Sequence, residues 1–545
     1  MQAPARHPRL PSGCGRVKEF VGLSDPGVSD GGRAVERGVV NAVGSIGLAT
    51  LASRVLGYAR DIVVARAFGA GPVTDAFFVA FRIPNLLRRL LAEGALSTGV
   101  VPVFSATLAR GGPVAFATMV RAVTGTGLVV LCSVSALGVA LAPWIVAVMA
   151  PGWRADAALF DLAVVLTRIM FPYLLLVGMG ALAMGTLNAH HRFFTSALSP
   201  AALSCLMIAA VFGLSSRMTP AVLSLGIGVL AGGLGQFLVQ LPEVRRLGVP
   251  LWPTLDWRHP AVREIGRRLW PAAFSLAAVQ VSVLVNTLLA SLLPGGTVSY
   301  LYYADRVMEF PLGVFGVALA TATLPSMAAQ AARRDHQALR ATLAFSLKLS
   351  AFIAVPAAVG LTVLGGPIVW MLFQRGEFGA PEAVFTAQAL VGYAVGLPAF
   401  SATRIAAQTF YALGDIRTPV YIGFVSVAAN IVLALALMWP FQHVGLALAS
   451  SLGSYVNLLG LCWMLRRRGL MGGDGVWRSL GRTLCAALVL LGWCVWLLRG
   501  LEGAWRGAGW TAAALATGML VYVGTAAAMR APELTALSVM LSRRR

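Results

Sequence analysis

From Val39 onward the chain alternates long apolar runs with short polar turns. Most runs reach or exceed the roughly 20 residues that an α-helix needs to cross a bilayer's hydrocarbon core. The pattern predicts about 14 helical segments, at 39–69, 73–109, 113–149, 157–189, 193–215, 219–243, 270–293, 297–331, 337–365, 382–413, 418–439, 442–465, 478–498 and 509–529. A membrane β-barrel would instead show alternating stretches of about 10 residues. The pattern is that of an all-α polytopic membrane protein. Residues 1–38, rich in Gly, Pro, Ser and Arg, lack apolar periodicity and any signal-peptide pattern; they are expected to be a disordered basic extension. The polar break Glu243–Arg268, with Pro250, Pro253, Pro260 and six arginines, reads as a hinge. The expected division is 39–248 (segments 1–6), a linker at 249–269, 270–468 (segments 7–12), and 469–545 with segments 13 and 14 and a basic tail.

The two six-segment units resemble each other at a period of roughly 224 residues. TDAFFVAFRIPN (74–85) aligns with VSYLYYADRVME (298–309), pairing Asp75 with Ser299, Arg82 with Arg306 and Asn85 with Glu309. FPYLLLVGMGALAMGTLNAHHRF (171–193) falls opposite LPAFSATRIAAQTFYALGDIRTP (397–419). An even number of segments per unit implies two pseudo-symmetric lobes in the same membrane orientation, a transporter arrangement with substrate held between the repeats.

Charge changes this picture in one region. The chain is 58% hydrophobic and only 12% charged, with mean hydropathy +0.78. Yet residues 53–105 carry Arg54, Arg60, Asp61, Arg66, Asp75, Arg82, Arg88, Arg89 and Glu93 inside helical segments. A charge at mid-membrane costs at least about 2.5–3.5 kcal/mol, so such residues face a cavity and have a function. Asp75, Arg82, Arg89 and Glu93 recur every 7, 7 and 4 residues, a single helical stripe with Asn85 beside it and a bend expected at Pro84. Ser299, Arg306 and Glu309 repeat the rhythm in the second unit. Arg54 and Arg60 do not share a face of a straight helix, and Gly57 offers a bend between them. The plainer alternative is a set of structural ion pairs, Asp75 with an arginine of segment 1 and Arg306 with Glu309 or Asp305. Asp61 and Arg66 lie near a membrane end, where snorkelling to the interface is the simple reading.

The net charge of +22 follows the positive-inside rule and does not point to nucleic acid. With both termini cytoplasmic, that face holds about 27 basic residues against about seven on the other. The six cysteines (Cys14, Cys132, Cys205, Cys462, Cys485, Cys494) show no ligand spacing and read as small core residues. His190 and His191 adjoin Arg192 at a segment end and suit an interface better than a metal; no metal site is expected. Guanidinium forks grip phosphate bidentately, so an arginine-rich, acid-poor cluster of Arg54, Arg60, Arg88 and Arg306 suits a phosphate or pyrophosphate ligand rather than a cationic drug. These observations reach a transporter of an anionic substrate by alternating access.

The stretch Ser53–Ser105, together with YYADRVMEFPLGVFGVALATATLPS (302–326) and GDIRTP (414–419), closely resembles the MurJ (MviN) lipid II flippase family of the MOP superfamily, over about residues 39–530. The resemblance implies a V-shaped pair of lobes plus two extra C-terminal helices that form a groove for a polyprenyl tail. It implies a bacterial inner-membrane protein of cell-wall biogenesis that flips lipid II (undecaprenyl-pyrophosphate-linked disaccharide pentapeptide), with membrane lipids and cell-wall synthesis or divisome proteins as further partners. The family's cavity arginines fall on Arg54, Arg60, Arg88 and Arg306, and accompanying positions on Ser53, Asp75, Arg82, Asn85, Arg89, Glu93, Ser299 and Glu309. It implies no cofactor. Some members are thought to bind sodium through an acidic residue of segment 7; here WPAAFSLAAVQVSVLVNTLLASLL offers only Gln280 and Asn286, so coupling to membrane potential or protons is expected instead. Alternatives are a MOP flippase of another undecaprenyl-linked oligosaccharide (an O-antigen or capsule unit), a membrane enzyme acting on polyprenyl-linked sugars, and a regulatory scaffold. The outer loops are short and the largest offers only Glu377 and Glu382, which disfavours the enzyme. The absence of a soluble domain disfavours the scaffold.

Overall fold

Breaks in the helices, more than the helices themselves, define how this chain is laid out. The computed structural model describes residues 30–89, 99–249, 252–472, 475–500 and 507–535. The elements are α1 (Asp30–Phe68), α2 (Pro72–Arg88), α3 (Val101–Ala140), α4 (Ala142–Met149), α5 (Ala157–Met170), α6 (Tyr173–Ala189), α7 (Phe194–Leu214) and α8 (Leu223–Arg246). They continue with α9 (Pro260–Ala290), α10 (Thr297–Pro311), α11 (Val317–Ala332), α12 (His336–Val363), α13 (Gly365–Phe373), α14 (Ala380–Ala394), α15 (Leu397–Ala412), α16 (Arg417–Arg467), α17 (Val476–Gly500) and α18 (Ala508–Ala528). Among the described residues, α3, α7, α8, α12, α16, α17 and α18 are each long and apolar enough to cross a membrane, α5 and α6 together make an eighth span, and the α14–α15 pair, bent by 42°, makes a ninth if taken as one span. This is a multi-pass helical membrane protein.

The breaks expected at residues 109–113 and 439–442 exist, as kinks inside α3 and α16. Gly112 (φ 69°) breaks α3 just before Pro113, and Gln442 (φ 49°) breaks α16 just after Pro440. Other breaks follow the sequence repeat. Leu141 separates α3 from α4 as Leu364 separates α12 from α13, and Phe171–Pro172 divides α5 from α6 as Val395–Gly396 divides α14 from α15.

Two boundaries differ from expectation. Helix α1 begins at Asp30, so the polar residues 30–38 are helical, while residues 1–29 lie outside the described residues. Helix α9 begins at Pro260 rather than 270, because Pro260 suits a first helical turn and the His259 ring accepts from the Ala261 amide at 3.2 Å. The cysteines also differ: Cys494 is buried, but Cys132, Cys205 and Cys485 lie on exposed helix faces, and Cys14 is outside the described residues.

Small residues let the helices approach closely. Gly232 and Gly233 of α8 receive Leu203 and Tyr173, and Gly392 of α14 receives Ala447. The apolar core is one shared cluster at the arginine-poor end, where Phe78, Met149 and Leu289 join Tyr303, Leu364 and Phe378. At the arginine-rich end it divides. One cluster joins Phe104, Phe116, Leu187 and Val244 with Ile265, and a separate one joins Met327, Leu343, Phe410 and Leu465. The two halves of the chain thus share a core at one end and part company at the other. Helix α17 packs on α12, and α18 on α17.

Candidate substrate-binding site

Three helices, α1, α2 and α10, carry the charged stripe, and their contacts form a ladder from the shared core towards the arginine-rich end. At the outermost rung the halves meet backbone to backbone. The Glu377 amide donates to the Arg66 carbonyl at 3.0 Å, Gly69 abuts the Glu377 carbonyl, and Gly152 abuts the Ser291 carbonyl. Helix α10 starts at Gly296 (φ 95°), which supplies no cap of its own. The cap comes from α2. Asp75 Oδ2 accepts from the Gly296 amide (2.6 Å), and Oδ1 accepts from the Ser299 amide (2.7 Å) and hydroxyl (2.5 Å). A buried carboxylate on a helix N-terminus satisfies orphan amides and the helix dipole together. Asp75 therefore does not pair with an arginine of α1, as the ion-pair alternative had it.

One turn further in, Phe78 stacks on Tyr302 with centroids 3.9 Å apart. Then comes Asp61, only 2% exposed. Its Oδ1 accepts from Arg60 Nη2 at 2.7 Å and Tyr302 OH at 3.3 Å, and its Oδ2 accepts from Arg306 Nε at 2.6 Å. Arg306 also donates through Nη1 to Glu309 at 2.8 Å, and its guanidinium lies 5.8 Å from the Tyr58 ring centre. Tyr58 in turn donates to the Arg306 carbonyl at 2.9 Å. A single carboxylate on α1 thus bridges an arginine of each half. Of the two readings the sequence leaves open for Asp61 and Arg66, cavity-facing or snorkelling to the interface, Asp61 is buried and Arg66 exposed; the bridging role of Asp61 is what the sequence does not disclose. Its signal was its place beside Arg60 in an otherwise acid-free helix turn.

Arg54 is exposed and lies over Gly313, where a Cβ would come within 2.9 Å of Nη1. α1 is helical across Gly57. Arg88 donates to Asn85 Oδ1 at 3.0 Å, one helical turn away. Arg82 is half-buried, with Nε lacking a hydrogen-bond partner and Asp305 of α10 within electrostatic reach. Arg89 is half-buried at the end of α2, and Ser53 is half-buried beside Arg54. Glu93 lies outside the described residues. Arg404 of α15, not anticipated from the sequence, is exposed and interacts with Glu309. Gln280 is half-buried on α9. Asn286 donates to Ser450 at 2.9 Å, and Asn430 donates to Ser282 at 2.6 Å and to Asn286 at 3.2 Å, a network of neutral groups.

Residues 64–507 match the family described as lipid II flippase MurJ. The chain belongs to the MurJ family. Among curated relatives, it is 39% identical over 453 residues to the lipid II flippase MurJ of Burkholderia cenocepacia, covering 82% of this chain and 88% of that one. It is 36% identical over 458 residues to the probable lipid II flippase MurJ of Vibrio cholerae, covering 82% and 87%. Among solved structures, its fold resembles a MurJ lipid II flippase in an inward closed conformation, with TM-score 0.76, 22% identity and coverage of 89% of this chain and 98% of that chain. It also resembles an inward-facing multidrug resistance MATE transporter of the MOP superfamily, with TM-score 0.64, 15% identity and coverage of 77% and 95%. MurJ-family membership makes this chain a flippase rather than a catalytic enzyme.

Proposed function

We propose that this protein moves lipid II across the bacterial inner membrane, from the cytoplasmic to the outer leaflet, by alternating access. The observation that carries this reading is the family match over most of both chains. In this reading fourteen crossings form two six-helix lobes in a V, with α17 and α18 outside the repeat and both termini cytoplasmic. The same reading takes 39–248 and 270–468 as the lobes, 249–269 as the linker between them and 469–545 as the part outside the repeat. The shared core at the arginine-poor end supports a pathway closed to the outside, and the two separate clusters support an opening towards the cytoplasm.

Arg54, Arg60, Arg88 and Arg306 receive the pyrophosphate, with Asp61 as the resident counter-ion of Arg60 and Arg306. A di-anion entering between the halves competes with Asp61 for Arg60 and Arg306, and a ligand that favours one arrangement of the halves shifts the equilibrium towards it. Ser53, Arg82, Asn85, Arg89, Glu93 and Glu309 set the field around this centre, and Asp75 with Ser299 closes the outer gate. The polyprenyl tail stays in the bilayer along α17 and α18. The polar network of α9 and α16 is built from neutral amides and hydroxyls, so the coupling force in this reading is membrane potential or protons rather than sodium. Cell-wall synthesis or divisome proteins are the expected protein partners.

The test is complementation in cells depleted of their own lipid II flippase, with wild type compared to Arg54→Ala, Arg88→Ala and Arg306→Ala at matched expression. Rescue by wild type and failure of the three variants is expected. Failure of well-expressed wild type would move the substrate to another undecaprenyl-pyrophosphate-linked oligosaccharide. Rescue by all three variants would make the arginines structural.

A further inference from the structure

The segment joining the two halves, between α8 and α9, carries an unusual surface. Residues 252–259 form no helix, yet they are strapped to α3. The Thr254 amide donates to the Arg121 carbonyl at 3.1 Å, and Arg121 Nε donates to the Trp252 carbonyl at 3.4 Å. Gly125 of α3 is in such close contact with the Thr254 backbone that a Cβ there would collide with it. Thr254 is half-buried, whereas Trp252, Leu255 and Trp257 are 80%, 61% and 65% exposed. Three large apolar side chains are thus held outward by a strap whose backbone is fixed.

Their level in the molecule follows from packing. Val249, Ala261 and Ile265, which flank the strap, share a cluster with Ala189 and Val244 in the last turns of α6 and α8. The strap therefore runs where the spans end, at the border between hydrocarbon and water. Tryptophan with flanking arginine is the side-chain pair suited to that border. The same pairing recurs on this face at Arg467, stacked 3.8 Å over Trp463, and at exposed Trp477 beside Arg478. Arg245 and Arg246 in the last turn of α8 and Arg258 in the strap are exposed, against one exposed acid, Asp256, whereas Arg268 already pairs with Glu264 at 2.5 Å.

We propose that this strap is a membrane-surface anchor, with Trp252, Leu255 and Trp257 seated among the headgroups of the cytoplasmic leaflet and Arg245, Arg246 and Arg258 on anionic phospholipid phosphates. Charge complementarity names the occupant: exposed aromatic side chains flanked along the chain by a net excess of exposed arginine at headgroup depth fit an anionic lipid surface. The consequence is mechanical. α9 packs first on α3 and then on α16 of the second half, so the anchor holds the start of the element that links the halves. The inference rests on the sidedness proposed above.

The experiment uses the full chain with its native cysteines replaced by serine and a nitroxide at Leu255→Cys, in phosphatidylcholine vesicles with and without phosphatidylglycerol. The expected result is collision with oxygen exceeding collision with a water-soluble nickel chelate, shifting further towards oxygen when phosphatidylglycerol is added. That lipid-dependent shift is expected to vanish in an Arg245→Gln/Arg246→Gln/Arg258→Gln background. A label as open to the nickel chelate as a free aqueous nitroxide would overturn the anchor, and a strap reserved for a soluble protein would give that result. Sidedness is read separately: an impermeant thiol reagent is expected to reach Leu255→Cys in inverted but not right-side-out vesicles. The opposite result would overturn the sidedness while leaving the depth measurement standing.

Discussion

Asp75 and Ser299 hold equivalent places in the two sequence repeats, 224 residues apart, and they touch through two hydrogen bonds of 2.7 and 2.5 Å. Equivalent residues meet only where the pseudo-two-fold axis passes between them. The two halves have diverged at this contact into a carboxylate and the helix end that it caps, and in the function proposed above the contact closes the outer gate.

Asp75→Asn keeps the shape of this cap and removes its charge. Losing a charge-assisted hydrogen bond costs roughly 1.5–3 kcal/mol, enough to change a closed-to-open ratio more than tenfold. Spin labels at Arg154→Cys and Arg375→Cys, both exposed on opposite halves at this end, are expected to show a new long-distance population in Asp75→Asn. An unchanged distance distribution would remove Asp75 from the gate.

The gate can also be tested without touching charge. A methyl group at Gly152 would collide with the Ser291 carbonyl across the interface, while one at Gly213 meets no atom within 4 Å. Gly152→Ala is expected to open the same label pair and abolish rescue of flippase-depleted cells, and Gly213→Ala is expected to do neither. Full activity of Gly152→Ala would mean that the outer rung yields freely.

Asp61→Asn separates binding from movement. It leaves Arg60 and Arg306 without their shared carboxylate, so affinity for a polyprenyl pyrophosphate is expected to rise by roughly tenfold, on the scale of one charge-assisted hydrogen bond. Flipping is expected to fall, because the arginines of the two halves then repel when empty. Binding measured by fluorescence titration and flipping measured in vesicles must move in opposite directions; a joint fall would make Asp61 structural.

The helical segments, the repeat and the excess of arginine were legible in the sequence because each rests on local periodicity or on counting. The contacts of the site were less so. Asp75 and Ser299 could be aligned, but alignment says nothing about distance unless the axis is known. The two readings of Asp61 stayed open because its partner Arg306 lies 245 residues away, and nothing local separates a bridging carboxylate from an interfacial one. The early start of α9 was hidden because residues 260–268 pack through Ala261, Val262 and Ile265, too few to register as an apolar run.

Asp415 offers a pH prediction outside the membrane. It lies in the turn before α16, where slight burial works against its charge but is outweighed by hydrogen bonds from the Thr418 hydroxyl (2.7 Å) and amide (3.0 Å) and by contact with Arg468. These hold its pKa at about 2, below the ordinary carboxylate value of 3.8. A depressed folded-state pKa means that the ionised form is the one favoured by folding. Its contribution is therefore complete above about pH 4 and disappears as pH falls through about 2. The size is that of a helix cap in contact with water, about 1 kcal/mol or less after screening. Asp415→Asn is expected to lower the thermal midpoint in detergent by a degree or two at pH 7, on the roughly 2–4 °C per kcal/mol scale of larger domains, and to match wild type near pH 2. If the variant is equally stable at pH 7, the Asp415–Thr418–Arg468 cluster contributes nothing to holding α16 in place.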